Sequence, residues 1–105
     1  MGLALRMLPL ADGSDFGGSL RNPAAWNNVF GFRTGTGVIP PEGNEQWISK
    51  MGVPGPMARH VADLGLVLSV MAGRHPQSLQ SIDVDAHAFA GPLDADHKGV
   101  RIGWL

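Results

Sequence analysis

The chain of 105 residues contains no cysteine. Disulfides and thiolate-bound metals are excluded, and the compartment is left open with a lean toward the cytoplasm. Charge is scarce as well. Charged residues make up 16% of the chain with a formal net charge of −1, against about a quarter in an ordinary globular protein. Lys and Arg stand singly, so no basic patch exists to attract nucleic acid or an acidic membrane, and neither is expected as a partner. Long apolar runs are missing too: the longest, 64–72, is about half of what a bilayer span requires. The opening "MGLALRMLPLA" lacks a basic leading region and is interrupted by Arg6, so it does not read as a signal peptide.

What the chain does have is glycine, 15 residues of it, and an apolar content of 44%. That combination describes buried chain with many tight turns, of a length suited to one modest domain. "GLALRML" reads as one or two helical turns ended by Pro9, and "LPLADGS" as a short buried strand entering a glycine turn. Residues 14–18 read as loop. "LRNPAAWNN" holds a short helical turn with Pro23 at its first position, and "VFGFR" is a buried strand. Residues 34–43 are turn-rich.

The clearest periodicity predicts a helix over about 56–72. Pro56 stands at its entry and Gly73 at its exit, with Met57, Val61, Leu64, Leu68 and Met71 along one stripe. Val67 and Val70 widen that stripe, which predicts cover on more than one side. Residues 73–99 are polar and irregular, and the terminal run 100–105 reads as a strand. One helix and three strand-like runs are few for a self-contained fold, so the chain reads as a segment of a larger α/β domain.

The chemistry concentrates at "DGSDFGGSLRNPAAW", residues 12–26. Gly17 and Gly18 carry no Cβ to block approach to the backbone, so successive N–H groups can converge on one anion beside the Ser19 hydroxyl. The amides of Phe16, Gly17, Gly18 and Ser19 are the candidate oxyanion hole, and Ser19 is the candidate nucleophile of an acyl transfer. Asp15 and Arg21 flank Ser19 and read as a salt bridge that shapes the loop. A structural Gly-Gly-Ser turn competes with this reading. The stretch is not the "GxSxG" elbow, because Arg21 stands where that motif has glycine. No "GK[ST]" follows to form a phosphate loop, and "GTGVIP" lacks the third glycine of a dinucleotide fingerprint, so no cofactor is implied. His60, His75, His87 and His97 all lie downstream, and none is placed as a base for Ser19. Asp83, Asp85, His87, Asp94, Asp96 and His97 can be drawn as a metal site. Alternating acids in a solvated loop are the commoner arrangement, and no metal is expected.

The stretch "GSDFGGSLRNPAAWNNVFGFR" resembles the signature of the amidase signature enzymes, approximately G-[ST]-D-x-G-G-S-[IL]-R-x-P-A followed by "GxxGxR" or "GxxGxK". "GPMAR" at 55–59, "VAD" at 61–63 and "GVRIGWL" at 99–105 follow in the family's order. The resemblance implies a mixed sheet sandwiched by helices, incomplete here, and a serine, cis-serine, lysine triad acting on a small-molecule amide. Carried over by position, Ser19 matches the acyl-enzyme nucleophile and the amides of residues 16–19 match the oxyanion hole. Ser14 takes the place of a hydroxyl that supports the catalytic network, and Asp15 and Arg21 match residues that hold the loop. The family's lysine and cis-serine lie upstream of this stretch, with "MGLALRM" resembling the end of the helix that follows them. The remainder of the domain is therefore expected to be needed for activity, and the chain alone to be inactive.

Two departures stand out. "RTGTGV" at 33–38 replaces "RP[ST]xGR", and Asn27-Asn28 replaces a "CG"-like pair. Two further readings accompany the amidase. One is the amidase subunit of a tRNA-dependent amidotransferase, ranked lower because Ala58 stands where that subunit more often has threonine. The other is a non-catalytic truncated remnant.

Overall fold

The computed structural model describes residues 1–41 and 51–103. Its elements are β1 (Leu10–Asp15), α1 (Arg21–Trp26), β2 (Phe30–Gly31), β3 (Val53–Ala58), α2 (Val61–Met71) and a 3₁₀ turn, Ala86–Ala90. The α/β class expected from the sequence is what forms, with the described strands in one antiparallel sheet of order β1-β3-β2.

The central strand carries two prolines, and they explain the sheet. β1 pairs with β3 over its full length, from Leu10 opposite Ala58 to Asp15 opposite Val53. Pro54 and Pro56 lie two apart, so their missing N–H groups fall on the same edge of β3. That edge faces β2, because Phe32 N donates to Pro56 O at 3.0 Å and Thr34 Oγ1 donates to Pro54 O at 3.0 Å. At these two positions the edge only accepts, and β2 is confined to two residues, Phe30 opposite Ala58 and Gly31 opposite Met57. Thr34, which replaces the expected proline of the family pattern, continues the pairing through its side chain.

The helix expected over 56–72 begins five residues later. Met57 and Pro56 belong to β3, and Pro56 is fully buried there. The sequence signal for this was local: a residue before proline is pushed out of the helical region, and Val53 and Gly55 both precede one. His60 is the exposed N-cap, in extended conformation. The helix exit is as expected, with Gly73 at φ 130° just past Ala72 and its N–H donated to Val38 O at 2.9 Å. Cover is one-sided. Leu64 and Leu68 are buried and Val67 is half-buried, whereas Val70 is 80% exposed and Leu66 54%; among the described elements α2 packs chiefly on β3 and the 3₁₀ turn.

Other expectations shift in smaller ways. Residues 2–6 form turns, with Arg6 at φ 58°, in place of a helix end. Arg59 pins them from "GPMAR", its Nη1 donating to Leu3 O at 3.0 Å and Leu8 O at 2.7 Å. Ser14 and Asp15 belong to β1 rather than to the loop. Pro23 is the third residue of α1, still within the first turn, whose N–H groups have no partner inside the helix. Residues 100–103 form no strand, since a strand needs a neighbour and none of the described residues pairs with them; 104–105 lie outside the described residues.

Leu20 is the centre of the small core, with no exposed surface. It settles onto a floor of glycines. A Cβ at Gly31 would meet Leu20 O at 2.9 Å and Ala24 Cβ at 2.8 Å, and one at Gly55 would meet Leu20 Cδ1 at 2.9 Å and the Phe32 carbonyl. Only bare backbone lets α1 and the residue before it approach the sheet this closely. Gly55→Ala in the full-length protein is accordingly expected to destabilise it by about 1–3 kcal/mol through overpacking, measured by urea unfolding. An unchanged midpoint would mean that the close approach is not needed.

Candidate active site

Ser19 is exposed and sits between the end of β1 and the start of α1. What holds it there is Asp15. The Asp15 side chain has no exposed surface, yet it is fully satisfied by five hydrogen bonds. Oδ1 accepts from Gly18 N at 2.8 Å and Arg21 Nη2 at 3.1 Å. Oδ2 accepts from Arg21 Nε at 2.9 Å and, more weakly, from Leu20 N at 3.4 Å and Arg21 N at 3.3 Å. One carboxylate thus closes the turn at Gly18 and caps the first residues of α1, which Leu20 at the N-cap has no side chain to do.

The expected ion pair between Asp15 and Arg21 forms as a fork, the planar guanidinium presenting two donors to two oxygens. Arg21 is the main reason that the Asp15 carboxyl is held well below the usual carboxylate range. The backbone amides add to its pull, and burial opposes it without prevailing. A second cation stands close by. Arg33 Nη1 lies 3.8 Å from Asp15 Oδ1 and donates to the Asp15 backbone carbonyl at 2.9 Å, while its Nη2 donates to Met51 O at 3.1 Å.

The expected oxyanion donors divide. Gly18 N–H was expected among them, and it is instead engaged by Asp15 Oδ1. The reason is the turn itself: Gly18 follows Asp15 by three residues, so the turn brings its amide back onto the carboxylate at the end of β1. The N–H groups of Phe16, Gly17 and Ser19 have no hydrogen-bond partner among the described residues, nor does the Ser19 hydroxyl. Ser14 is exposed on β1 and borders, with Phe16, Ile39, Pro54 and Met71, a cleft of about 640 Å³ that Ser19 does not line.

The two glycines do different work. Gly18 needs its positive φ, and a Cβ there would also meet Asn22 Nδ2 at 2.8 Å; a Cβ at Gly17 would meet nothing within 4 Å. Gly18→Ala is expected to destabilise the full-length protein by about 1–3 kcal/mol, and Gly17→Ala to change stability by no more than about 0.5 kcal/mol. Urea unfolding of both variants checks this, and equal losses would contradict it.

After α1, Asn27 Nδ2 donates to Pro23 O at 2.8 Å and Asn28 takes φ 51°. The pair that departs from the family pattern therefore ends the helix, asparagine being the residue after glycine that best tolerates this region. Away from the loop, Asp85 and Asp96 accept from the amides of His87 and Lys98, and among the described residues no three His, Asp or Glu side chains converge on a metal-sized site. No helix among them is long and apolar enough to cross a membrane. Arg33, Thr34 and Arg59 carry contacts that the sequence assigned to no role; Arg33 and Arg59 did fall within motifs of the family pattern.

Comparison with known proteins places this geometry. A family model described as Amidase matches residues 2–105. The matching glutamyl-tRNA(Gln) amidotransferase subunit of Pseudomonas savastanoi pv. phaseolicola is 41% identical over 101 residues, which is 96% of this chain and 21% of that protein. A bacterial aryl acylamidase of the amidase signature enzymes family superposes with a TM-score of 0.73 at 33% identity, over 79% of this chain and 17% of that one. The peptide amidase of Stenotrophomonas maltophilia superposes with a TM-score of 0.63 at 33% identity, over 90% and 18% respectively. The chain spans about a fifth of the length of the curated relatives it matches.

Proposed function

The chain belongs to the amidase family, and from that premise we propose that it carries the nucleophile of an enzyme hydrolysing a carboxylic amide. Ser19 Oγ attacks the amide carbon, its proton passing to a base in the remainder of the amidase domain. The carbonyl oxygen takes the negative charge and receives hydrogen bonds from among the amides of Phe16, Gly17 and Ser19. The C–N bond breaks, the amine or ammonia leaves with a proton, and an ester remains on Ser19. Water then attacks the ester, releasing the acid and restoring the serine hydroxyl. Ser14 supports the network from β1, and Asp15 with Arg21 holds the loop in register. The base comes from outside the described residues, so activity belongs to the full-length protein.

The observation that carries this reading is an exposed Ser19 hydroxyl beside amides that, like it, have no partner among the described residues, on a loop tied down by a buried carboxylate. Exposed on the loop, these three N–H groups are accessible to a ligand oxygen in place of water, beside a serine hydroxyl. A cytoplasmic setting suits a cysteine-free chain, which has no disulfides to maintain.

A second reading, the amidase subunit of a tRNA-dependent amidotransferase, gains from the 41% identity to such a protein, against 33% to the acylamidase and the peptide amidase. The experiment that tests both is release of ammonia or amine from simple amides by the full-length protein. Turnover by that protein alone supports the hydrolase. Turnover that requires the other amidotransferase subunits and a glutamyl-tRNA acceptor supports the second reading, and none in either setting overturns both.

A further inference from the structure

We propose that Arg33 is a positioning residue that aims and polarises the Phe16 N–H as an oxyanion donor, acting through the peptide bond between Asp15 and Phe16. The inference rests on the acyl-transfer reading above and adds a residue to it. Arg33 lies just past β2, its side chain 30% exposed, and its guanidinium bridges two carbonyls: Asp15 O at 2.9 Å and Met51 O at 3.1 Å. Arg21 already forks the Asp15 carboxylate. The distinct contact of Arg33 is with the backbone.

That contact has a directional consequence. No peptide in the described structure is cis, and a trans peptide is planar with its C=O and N–H pointing opposite ways. Fixing the Asp15 carbonyl toward Arg33 therefore fixes the Phe16 N–H away from it. The Phe16 N–H is one of the amides without a partner among the described residues; the carbonyl of its peptide belongs to Asp15, the last residue of β1, which pairs with Val53, and Arg33 adds a charged donor at that last rung. A second consequence is electronic. A cation donating to the carbonyl draws charge through the amide and makes the N–H at its other end a stronger donor. Asp15 is thereby held at both its ends, the side chain by Arg21 and the main chain by Arg33. The bridge to Met51 ties this peptide to the approach of β3, the strand that pairs with β1.

The test uses the full-length protein with Arg33→Gln, which removes the charge and the fork, and Arg33→Lys, which keeps the charge on a single nitrogen. Carbonyl-labelled aspartate with nitrogen-labelled phenylalanine marks Asp-Phe steps for NMR; Asp15–Phe16 is the one such step within these 105 residues, and the resonance that disappears in Phe16→Leu identifies it in the full-length protein. Arg33→Gln is expected to shift this resonance and to lower kcat by about 10- to 100-fold, less than outright loss of a donor, with KM changed by no more than about twofold. Arg33→Lys is expected to shift the resonance less and to recover part of kcat. Should Arg33→Gln fail to fold, the lysine variant decides alone, with a shifted resonance and a several-fold lower kcat. An unmoved resonance, or an unchanged kcat beside a shifted one, overturns the proposal. If Ser19→Ala turns over amides as well as the wild type, the acyl-transfer reading fails instead, and the resonance still reports whether Arg33 orients the peptide.

Discussion

Ser19→Ala in the full-length protein is expected to lower kcat for amide hydrolysis by about 10⁶-fold, the scale on which serine hydrolases lose turnover when the nucleophile is removed. The magnitude follows from the proposed route. Without Oγ there is no ester, and open amides on the loop can only polarise a carbonyl for direct attack by water. The residual rate is then that of an oxyanion hole acting alone. Stability barely moves, because the Ser19 side chain is exposed and its hydroxyl makes no hydrogen bond among the described residues. Initial rates with an active-site titration, paired with a urea melt, separate loss of chemistry from loss of fold. A variant within tenfold of wild type would place the nucleophile elsewhere.

Asp15→Asn is the second large effect, and it reaches activity through architecture. The carboxylate accepts five hydrogen bonds and donates none. An asparagine of the same shape must turn an NH₂ toward one set of donors. Either it faces Gly18 N–H and Arg21 Nη2, or it faces Arg21 Nε with the amides of Leu20 and Arg21. The charge that balances Arg21 and lies 3.8 Å from Arg33 also disappears. The turn at Gly18 and the cap on α1 loosen together, and the amides beside Ser19 lose their common direction. A fall in kcat/KM of about 10²- to 10³-fold is expected, comparable to the loss of one oxyanion donor, with a lowered melting temperature. Full activity in Asp15→Asn would mean that the carboxylate is not what organises the loop.

The same residue sets a pH dependence whose sign is definite. The folded state holds the Asp15 carboxyl below its ordinary value of 3.8, so between the two values the unfolded chain binds more protons. The stabilisation is complete above about pH 3.8 and is lost progressively as pH falls toward the folded value. Urea midpoints measured from about pH 6 down to about pH 2.5 should fall steeply in the wild type and less steeply in Asp15→Asn. Parallel curves would remove Asp15 from the account.

Much of this was legible in the residues, and the parts that were not have identifiable causes. The ion pair of Asp15 with Arg21 could be read because both partners lie in one short loop. Gly73 could be read because a glycine after an apolar stripe is a local signal. The start of α2 could not be read from periodicity, since Met57 matches the helical stripe while lying in a strand, and it is the two X-Pro steps that keep 53–58 extended. Arg33 lies 18 residues from the carbonyl it holds, and Arg59 more than 50 from the turns it pins; sequence spacing says nothing about such contacts. The contact of the Gly18 amide with Asp15 was hidden for a subtler reason. Two adjacent glycines look equivalent in sequence, but only one takes the positive φ, and that one spends its amide on Asp15.

On the proposed route an acyl group passes through Ser19. The most direct measurement is mass spectrometry of the full-length protein, acid-quenched during turnover of an amide and digested. The peptide containing Ser19 is expected to gain the mass of the substrate's acyl group less one hydrogen, and Ser19→Ala to show no such adduct. Turnover at the wild-type rate with the acyl mass on another residue, or on none under conditions that trap the ester of a known serine hydrolase, would contradict it.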